Sequence, residues 1–281
     1  MMEIVGPESR FSLQSHELRR VRRGELTAIG MPSGGAPRES LFARDAAIVA
    51  LADAFGEGSG PNAIIDISCL PKRFFFPCLH RLLNNPKIAN LVATYTVPER
   101  YHDGRLAEDH QPFAHLPLFG PREFPERPVG VVIVGVGFVR LGLHELLQLY
   151  RKRVDVRALL SFPPGQPGFA RNWDFIRELE VGVPGGLGSP TRIEGYDVPD
   201  IFDHIVEFTG RNSQQAVFAP FGPKSMSLAM CLYARLANSS VYYTQPTVYH
   251  PEYSTGVKTI NGGPVSYAYC LRIDGRDLYT L

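Results

Sequence analysis

No sign of charge dominates this chain of 281 residues: 29 Lys and Arg stand against 28 Asp and Glu, a formal net charge of +1. A protein that lives mainly on phosphate backbones carries a basic excess or a segregated basic block. The longest basic clusters here, Arg19–Arg23 and Arg151–Arg153, are short, so nucleic acid is not the expected main partner. Cysteine is scarce. Cys69, Cys78, Cys231 and Cys270 form no Cys-x-x-Cys pair and no zinc spacing, the usage of reduced thiols in a cytoplasmic protein. The eight histidines contain no His-Glu-x-x-His pattern, and spacing alone offers no metal site. Long apolar runs are missing as well: Val129 to Leu149 is broken by Arg140, His144 and Glu145, which rules out a membrane span there. The amino terminus lacks a basic stretch followed by an apolar one, so no secretory signal is expected. Neither Gly-x-x-x-x-Gly-Lys-Ser/Thr nor Gly-x-Ser-x-Gly occurs, which removes a Walker A loop and a nucleophile-elbow serine.

What is present points to a packed α/β protein. Hydrophobic residues make up 44% of the chain, including 17 Phe and 12 Tyr, while 27 Gly and 24 Pro supply many shaped turns. Short β-branched runs alternate with helical patterns. Strands are expected at 63–67, 90–95, 130–135, 156–161, 216–219 and 241–243. Helices are expected at 74–83, 143–150, 173–179 and 226–237 between or beside them. Such alternation implies largely parallel sheet covered by helices. Residues 1–58 read as an N-terminal extension: a helical piece at 18–23, a Gly/Pro-rich loop at 32–37 and a helix at 41–55.

The most informative pattern is internal. Pro71-Lys72 precedes a helix containing Cys78 and Leu79, and the strand after it ends in Tyr95-Thr96-Val97-Pro98-Glu99-Arg100-Tyr101. Pro223-Lys224 precedes a helix containing Cys231 and Leu232, and the next strand ends in Tyr243-Thr244-Gln245-Pro246-Thr247-Val248-Tyr249. Both carry Tyr-Thr-x-Pro-x-x-Tyr; from composition a chance second copy has a probability of roughly 0.002. The expectation is two related Rossmann-like βαβ units, one within 59–128 and one within 129–281. Ligands of open α/β sheets bind beyond the carboxyl ends of the strands, where both motifs fall.

Candidate residues follow from that placement. Gly222-Pro223-Lys224-Ser225 opens a helix, where free N–H groups and a lysine suit an anion; a capped helix with an exposed lysine satisfies the same pattern. In the first unit Asp66 and Ser68 lie on one face of a continuing strand, and Lys72 or Arg73 just beyond is expected to be that unit's contribution to binding a phosphate. Asp66 among isoleucines is either a catalytic general base or nucleophile, with Ser68 positioning substrate, or a cap for loop N–H groups or a partner of Lys72 or Arg73. Tyr95, Tyr101, Tyr243 and Tyr249 either frame a base or sugar or pack at strand ends. Gly135-Val136-Gly137 through Gly142 stands where a dinucleotide loop would, but its spacing is that of a tight turn. Arg171 and Asn172, after the loop at 161–168, are placed to reach a polar ligand.

Two such units, with Gly222-Pro223-Lys224-Ser225 opening a helix that carries Leu228 and Ala229, resemble the CARF and SAVED group of nucleotide-sensing domains of prokaryotic defence systems over about residues 60–260. The resemblance implies recognition of a cyclic or linear oligonucleotide, or a related nucleotide, between the units. It also implies an effector protein or a second copy of the chain as partner. A sensor of a phosphate-bearing, nucleotide-like molecule is therefore the leading expectation. A nucleotide or nucleoside hydrolase or transferase using Asp66 is the alternative, and a scaffold subunit with a degenerate pocket is the third. The sequence leaves the identity of any cofactor open.

Overall fold

The computed structural model describes every residue except Met1, 32–36, 122–127, 151–153, 165–167 and 184–186. The basic cluster at 151–153, nearly all of the loop at 32–37 and the middle of the loop at 161–168 lie outside the described residues. The chain opens with β1 (Glu3–Val5), α1 (Ser12–Ala28), β2 (Arg38–Ser40) and α2 (Asp45–Gly58). A β-α-β passage follows, β3 (Asn62–Asp66), α3 (Lys72–Asn84) and β4 (Asn90–Thr96), then the short strands β5 (Arg100–Tyr101), β6 (Ala107–His110) and β7 (Ala114–His115). The longest alternating run comprises β8 (Val129–Gly135), α4 (Leu143–Leu149), β9 (Asp155–Ser161), α5 (Gly168–Gly182) and β10 (Thr191–Ile193). It continues through α6 (Val198–Phe208), β11 (Gln215–Pro220), α7 (Lys224–Ala237) and β12 (Ser240–Tyr243). The chain closes with β13 (Pro246–Tyr249), β14 (Ser254–Thr255), β15 (Thr259–Ile260), β16 (Gly263–Pro264), β17 (Ser266–Ile273) and β18 (Arg276–Asp277).

The result is a mixed α/β fold built on two main sheets. The six-stranded sheet has the order β10-β9-β8-β11-β12-β7, parallel except for β7 at its edge. Its order reverses between β8 and β11, the switch point at which a crevice opens in doubly wound sheets. Period-2 alternation decides the faces. Val132 and Val134 pack with Leu143, Leu146, Phe175 and Leu179 of α4 and α5, whereas Val131 and Ile133 pack with Ile201, Ile205 and Leu228 of α6 and α7. Burial on both faces explains why β8 reads as an unbroken valine-rich run.

The four-stranded sheet, β18-β17-β4-β3, departs from the expected largely parallel, helix-covered arrangement. Only β3 and β4 run parallel; β17 returns from the far end of the chain and pairs antiparallel with β4. One face packs Ala63, Ile65, Leu91, Ala93, Tyr269 and Leu271 into the core. The other face is open: Ile64 is 70% exposed, and Asp66, Ala268 and Cys270 are exposed beside it. The chain thus crosses the boundary at 128 in both directions, since β7 completes the later sheet and β17 the earlier one.

Helices α3 and α7 bring the two sheets together. Ser225 to Ala234 of α7 are all buried, the signature of a helix covered on every side. Phe75, Phe76, Leu79 and Leu82 of α3 share a core with Leu228, Met230, Cys231 and Leu232 of α7. The N-terminal segment covers the other flank of α3, where Phe74 meets Leu41, Ala43 and Ile48. Arg73 pairs there with Asp45 at 2.6 Å.

Candidate functional site

The two passages that share Tyr-Thr-x-Pro-x-x-Tyr interlock reciprocally. Pro71 and Pro223 both stand as the residue before the helix with extended backbone, at φ −59° and −60°. The lysine after each reaches across to the other passage. Lys72 Nζ donates to the carbonyls of Pro220 and of Gly222, the latter at 2.9 Å; Lys224 Nζ donates to the carbonyls of Leu70 and of Ile67, the latter at 3.3 Å. Leu70 and Gly222 occupy equivalent places, two residues before their lysines. Each ammonium also lies over an aromatic ring, Lys72 over Tyr243 at 5.2 Å and Lys224 over Phe75 at 5.3 Å, an attraction that grows when water is excluded. Burial, and then the neighbouring Lys224, pushes Lys72 well below the ordinary lysine range. Burial likewise brings Lys224 down to about 8, against the opposing pull of Cys69 and Asp66.

The strand ends repeat this reciprocity. Tyr249 pairs with Ala107 in the β13–β6 ladder, and Tyr101 pairs with Ser254 in the β5–β14 ladder. Within each motif the first and last tyrosine hydroxyls lie close enough to act on one another's ionisation, Tyr95 with Tyr101 and Tyr243 with Tyr249. Tyr253 joins the two pairs through ring contacts to Tyr101 at 6.1 Å and Tyr249 at 5.9 Å. Burial, before any effect of neighbours, raises all five phenols above the ordinary tyrosine range. The four tyrosines singled out in the sequence therefore come to one place, as packed members of a cluster to which Tyr253 belongs.

The other singled-out residues divide differently. Asp66 is exposed on the open face of the four-stranded sheet, so the isoleucines beside it point away and do not desolvate it. Its Oδ1 accepts from the Ser68 N–H at 2.8 Å and the Ser68 hydroxyl at 2.5 Å, and Ser68 Oγ accepts from the Thr96 N–H at 2.8 Å. This is the loop-capping arrangement. Arg73 faces the N-terminal segment. Ser225 is buried and donates to the Gly195 carbonyl. Gly222 is buried under Met226, with no room for a side chain.

The carboxyl edge of the six-stranded sheet holds a second set of groups. The turn after β8 passes so close to β11 and β12 that side chains are excluded. A Cβ at Gly137 would run into the Phe221 carbonyl, and one at Gly142 (φ +80°) into the Thr244 side chain. Around this turn stand Arg171 and Asn172 at the start of α5. The Arg171 guanidinium lies 5.9 Å from the Phe138 ring, and its Nη2 donates to the carbonyls of His102, Asp103 and Gly104 at 2.8, 2.6 and 2.7 Å. Among the described residues, six buried side-chain polar atoms have no hydrogen-bond partner. Four of them are here: Arg171 Nη1, Asn172 Oδ1, Thr244 Oγ1 and Gln245 Oε1. Two of these residues meet the tyrosine cluster: Gln245 Nε2 donates to the Tyr249 hydroxyl at 2.8 Å and Arg171 acts electrostatically on Tyr253. Thr244 and Gln245 lie inside the repeated motif, next to its first tyrosine.

Two histidines complete the junction. The residue after each motif is His102 or His250, so the repeat extends to Tyr-Thr-x-Pro-x-x-Tyr-His, a step legible in the sequence that its tyrosines alone do not reveal. A groove of about 360 Å³ between α4 and α5, lined by Leu143, Leu147 and Val181 among others, contains none of these residues. No helix among the described residues is long and apolar enough to cross a membrane. No protein-family model matches the chain, and no curated protein matches it at a significant level.

Proposed function

We propose that this chain binds a phosphate-bearing, nucleotide-like small molecule where two related Rossmann-like units meet, at the carboxyl edge of the six-stranded sheet. The single observation that carries this reading is the group of unpartnered buried atoms on Arg171, Asn172, Thr244 and Gln245 at the strand-order reversal. A buried polar group without a partner costs about 1–3 kcal/mol, so four together form a local deficit that a polar ligand removes. Arg171 and Thr244 supply donors for an anion, and Asn172 and Gln245 supply acceptors for the edge of a base or sugar. Arg171 takes the phosphate role in place of Lys224 and Lys72, whose ammonium groups are engaged by carbonyls of the opposite passage. A sensing role follows if ligand binding favours one arrangement of the two units over another, and the lysine–carbonyl bonds are what such a shift would exchange.

The test is native mass spectrometry of the purified chain, followed by calorimetric titration with AMP, ATP and cyclic dinucleotides. Arg171→Met is expected to weaken binding at least ~10-fold, the cost of one charge-assisted hydrogen bond, whereas Lys72→Met leaves affinity within ~3-fold. Equal affinity of wild type and Arg171→Met, or no binding of any probe below millimolar concentration, refutes the reading.

A further inference from the structure

We propose that His102, His250 and Glu252 bind a first-row divalent cation, with zinc as the probe, and that the ion clasps the two halves of the chain at the junction of their repeated motifs. The two histidines are far apart in sequence but equivalent in the repeat, and their rings stack at 3.7 Å with planes 12° apart. A ring nitrogen of each and a carboxylate oxygen of Glu252 all lie within 4.8 Å of one another. Tetrahedral zinc with ligand atoms at about 2.0–2.2 Å holds them roughly 3.4 Å apart. Closing that gap needs rotation of the exposed Glu252 side chain and a turn of the two imidazoles out of their parallel stack, because each nitrogen lone pair lies in its ring plane and a shared ion must lie near both planes.

The backbone is fixed in the required place. The His102 N–H donates to the Tyr253 carbonyl at 3.2 Å, and the His250 N–H to the Leu106 carbonyl at 2.9 Å. The Nδ1 lone pair of His250 already receives the Glu252 N–H at 3.1 Å, so it points toward the residue that would share the ion. Exchanging that donor for a cation gives up one bond of about 1 kcal/mol. Two imidazoles and one carboxylate suit zinc and its first-row neighbours, and do not suit calcium or magnesium, which take oxygen sets. Three protein ligands leave a fourth position open for water or a ligand atom. The loop carrying His102 is the one whose carbonyls Arg171 holds, so the ion would stiffen the wall of the proposed pocket without depending on it.

The experiment uses the full chain without a histidine tag, stripped with chelator, then equilibrated with ZnCl₂ and measured by calorimetry and by metal analysis after dialysis. The expected result is one zinc per chain with affinity below ~1 µM. His102→Phe and His250→Phe, which keep a ring in the stack, are expected to lose ~100-fold, and Glu252→Gln ~10-fold. His144→Phe, on helix α4 and outside the cluster, is the control and binds as wild type. Circular dichroism without metal shows whether each variant is folded; Glu252 is exposed, so its variant tests the site even if a histidine variant unfolds. Unchanged zinc affinity in folded His102→Phe or Glu252→Gln, or no stoichiometric zinc in wild type, overturns the proposal.

Discussion

Replacing Lys224 with methionine tests the central feature of the junction, because the lysine's burial has a definite pH signature. Lys224 titrates at about 8 in the folded chain against an ordinary 10.5, and burial is the main cause. At 1.36 kcal/mol per unit this is a penalty of about 3 kcal/mol on the charged form. Below pH 8 the residue is protonated in both states and the penalty is fully present. Between 8 and 10.5 the unfolded chain holds a proton that the folded chain has released, so stability rises with pH. Lys72 is shifted in the same direction and adds to the rise. The buried phenols act in the opposite sense: burial raises Tyr95, Tyr101, Tyr243, Tyr249 and Tyr253. Above about pH 10 the unfolded chain therefore loses phenol protons first and stability falls. Wild-type stability is expected to climb by about 3 kcal/mol or more from pH 7.5 to its maximum near pH 10, then drop. Lys224→Met removes about 3 kcal/mol of that climb, and at every pH it forfeits two carbonyl bonds worth about 1 kcal/mol each. Urea titrations followed by far-ultraviolet circular dichroism from pH 7 to 11 measure both curves. Parallel curves for the two proteins would refute the reasoning, since they would mean that the ammonium is hydrated and reaches no carbonyl.

Two further outcomes follow from single positions. Gly142→Ala combines a left-handed backbone at φ +80° with a Cβ directed into the Thr244 side chain. It is expected to destabilise the chain by at least ~2 kcal/mol, read as a lower urea midpoint, and an unchanged midpoint would show that the turn after β8 is not so tight. His80 is held at about 4 by burial first and then by Arg81 and Arg235. A histidine lowered on folding is neutral in the folded chain while the unfolded chain takes up its proton. Stability therefore falls as pH drops from 6.5 toward 4, by up to about 3 kcal/mol. His80→Leu should flatten that acid limb, and a proton-NMR titration of His80 with a midpoint near 6.5 would contradict the assignment.

How much of this was legible depended on whether the signal was local. The β-branched runs at 63–67, 130–135 and 216–219 carry enough propensity and burial to mark β3, β8 and β11 within a residue or so of their ends. The matched tyrosine motifs mark the two passages whose lysines reach across to one another. Helix α6 has a start that is legible in the sequence, Asp197 capping the Asp200 N–H at 3.0 Å with a proline in the first turn. Strand β17 was hidden because its partner β4 lies far away in sequence, and its single-sided alternation of Tyr267, Tyr269 and Leu271 takes meaning only from that pairing. Asp66 illustrates the opposite hazard. An apolar run around a carboxylate suggests desolvation, yet period-2 geometry sends Ala63, Ile65 and Ile67 inward and leaves Ile64 and Asp66 on the open face. The lysines could be placed at helix starts from sequence, but not their carbonyl partners about 150 residues away.

The reciprocal contacts also explain why the boundary at 128 does not divide the chain into separable pieces. A half ending there would carry β3 and β4 without β17, exposing a bare edge of β4 with Tyr95 beside it. It would also carry β7 with no β12 to pair with. Exposed edges of this kind are templates for association. The two helices that share the core, α3 and α7, would each lose an apolar face. Lys72 would bring a buried ammonium to carbonyls no longer present. Each half thus supplies the edge strand, the helix face and the lysine acceptors that the other needs. A junction over-determined in this way can hold unpaired polar atoms on Arg171, Asn172, Thr244 and Gln245 in place: the cost of leaving them unsatisfied is carried by contacts from both sides, and it is this cost that the proposed ligand would remove.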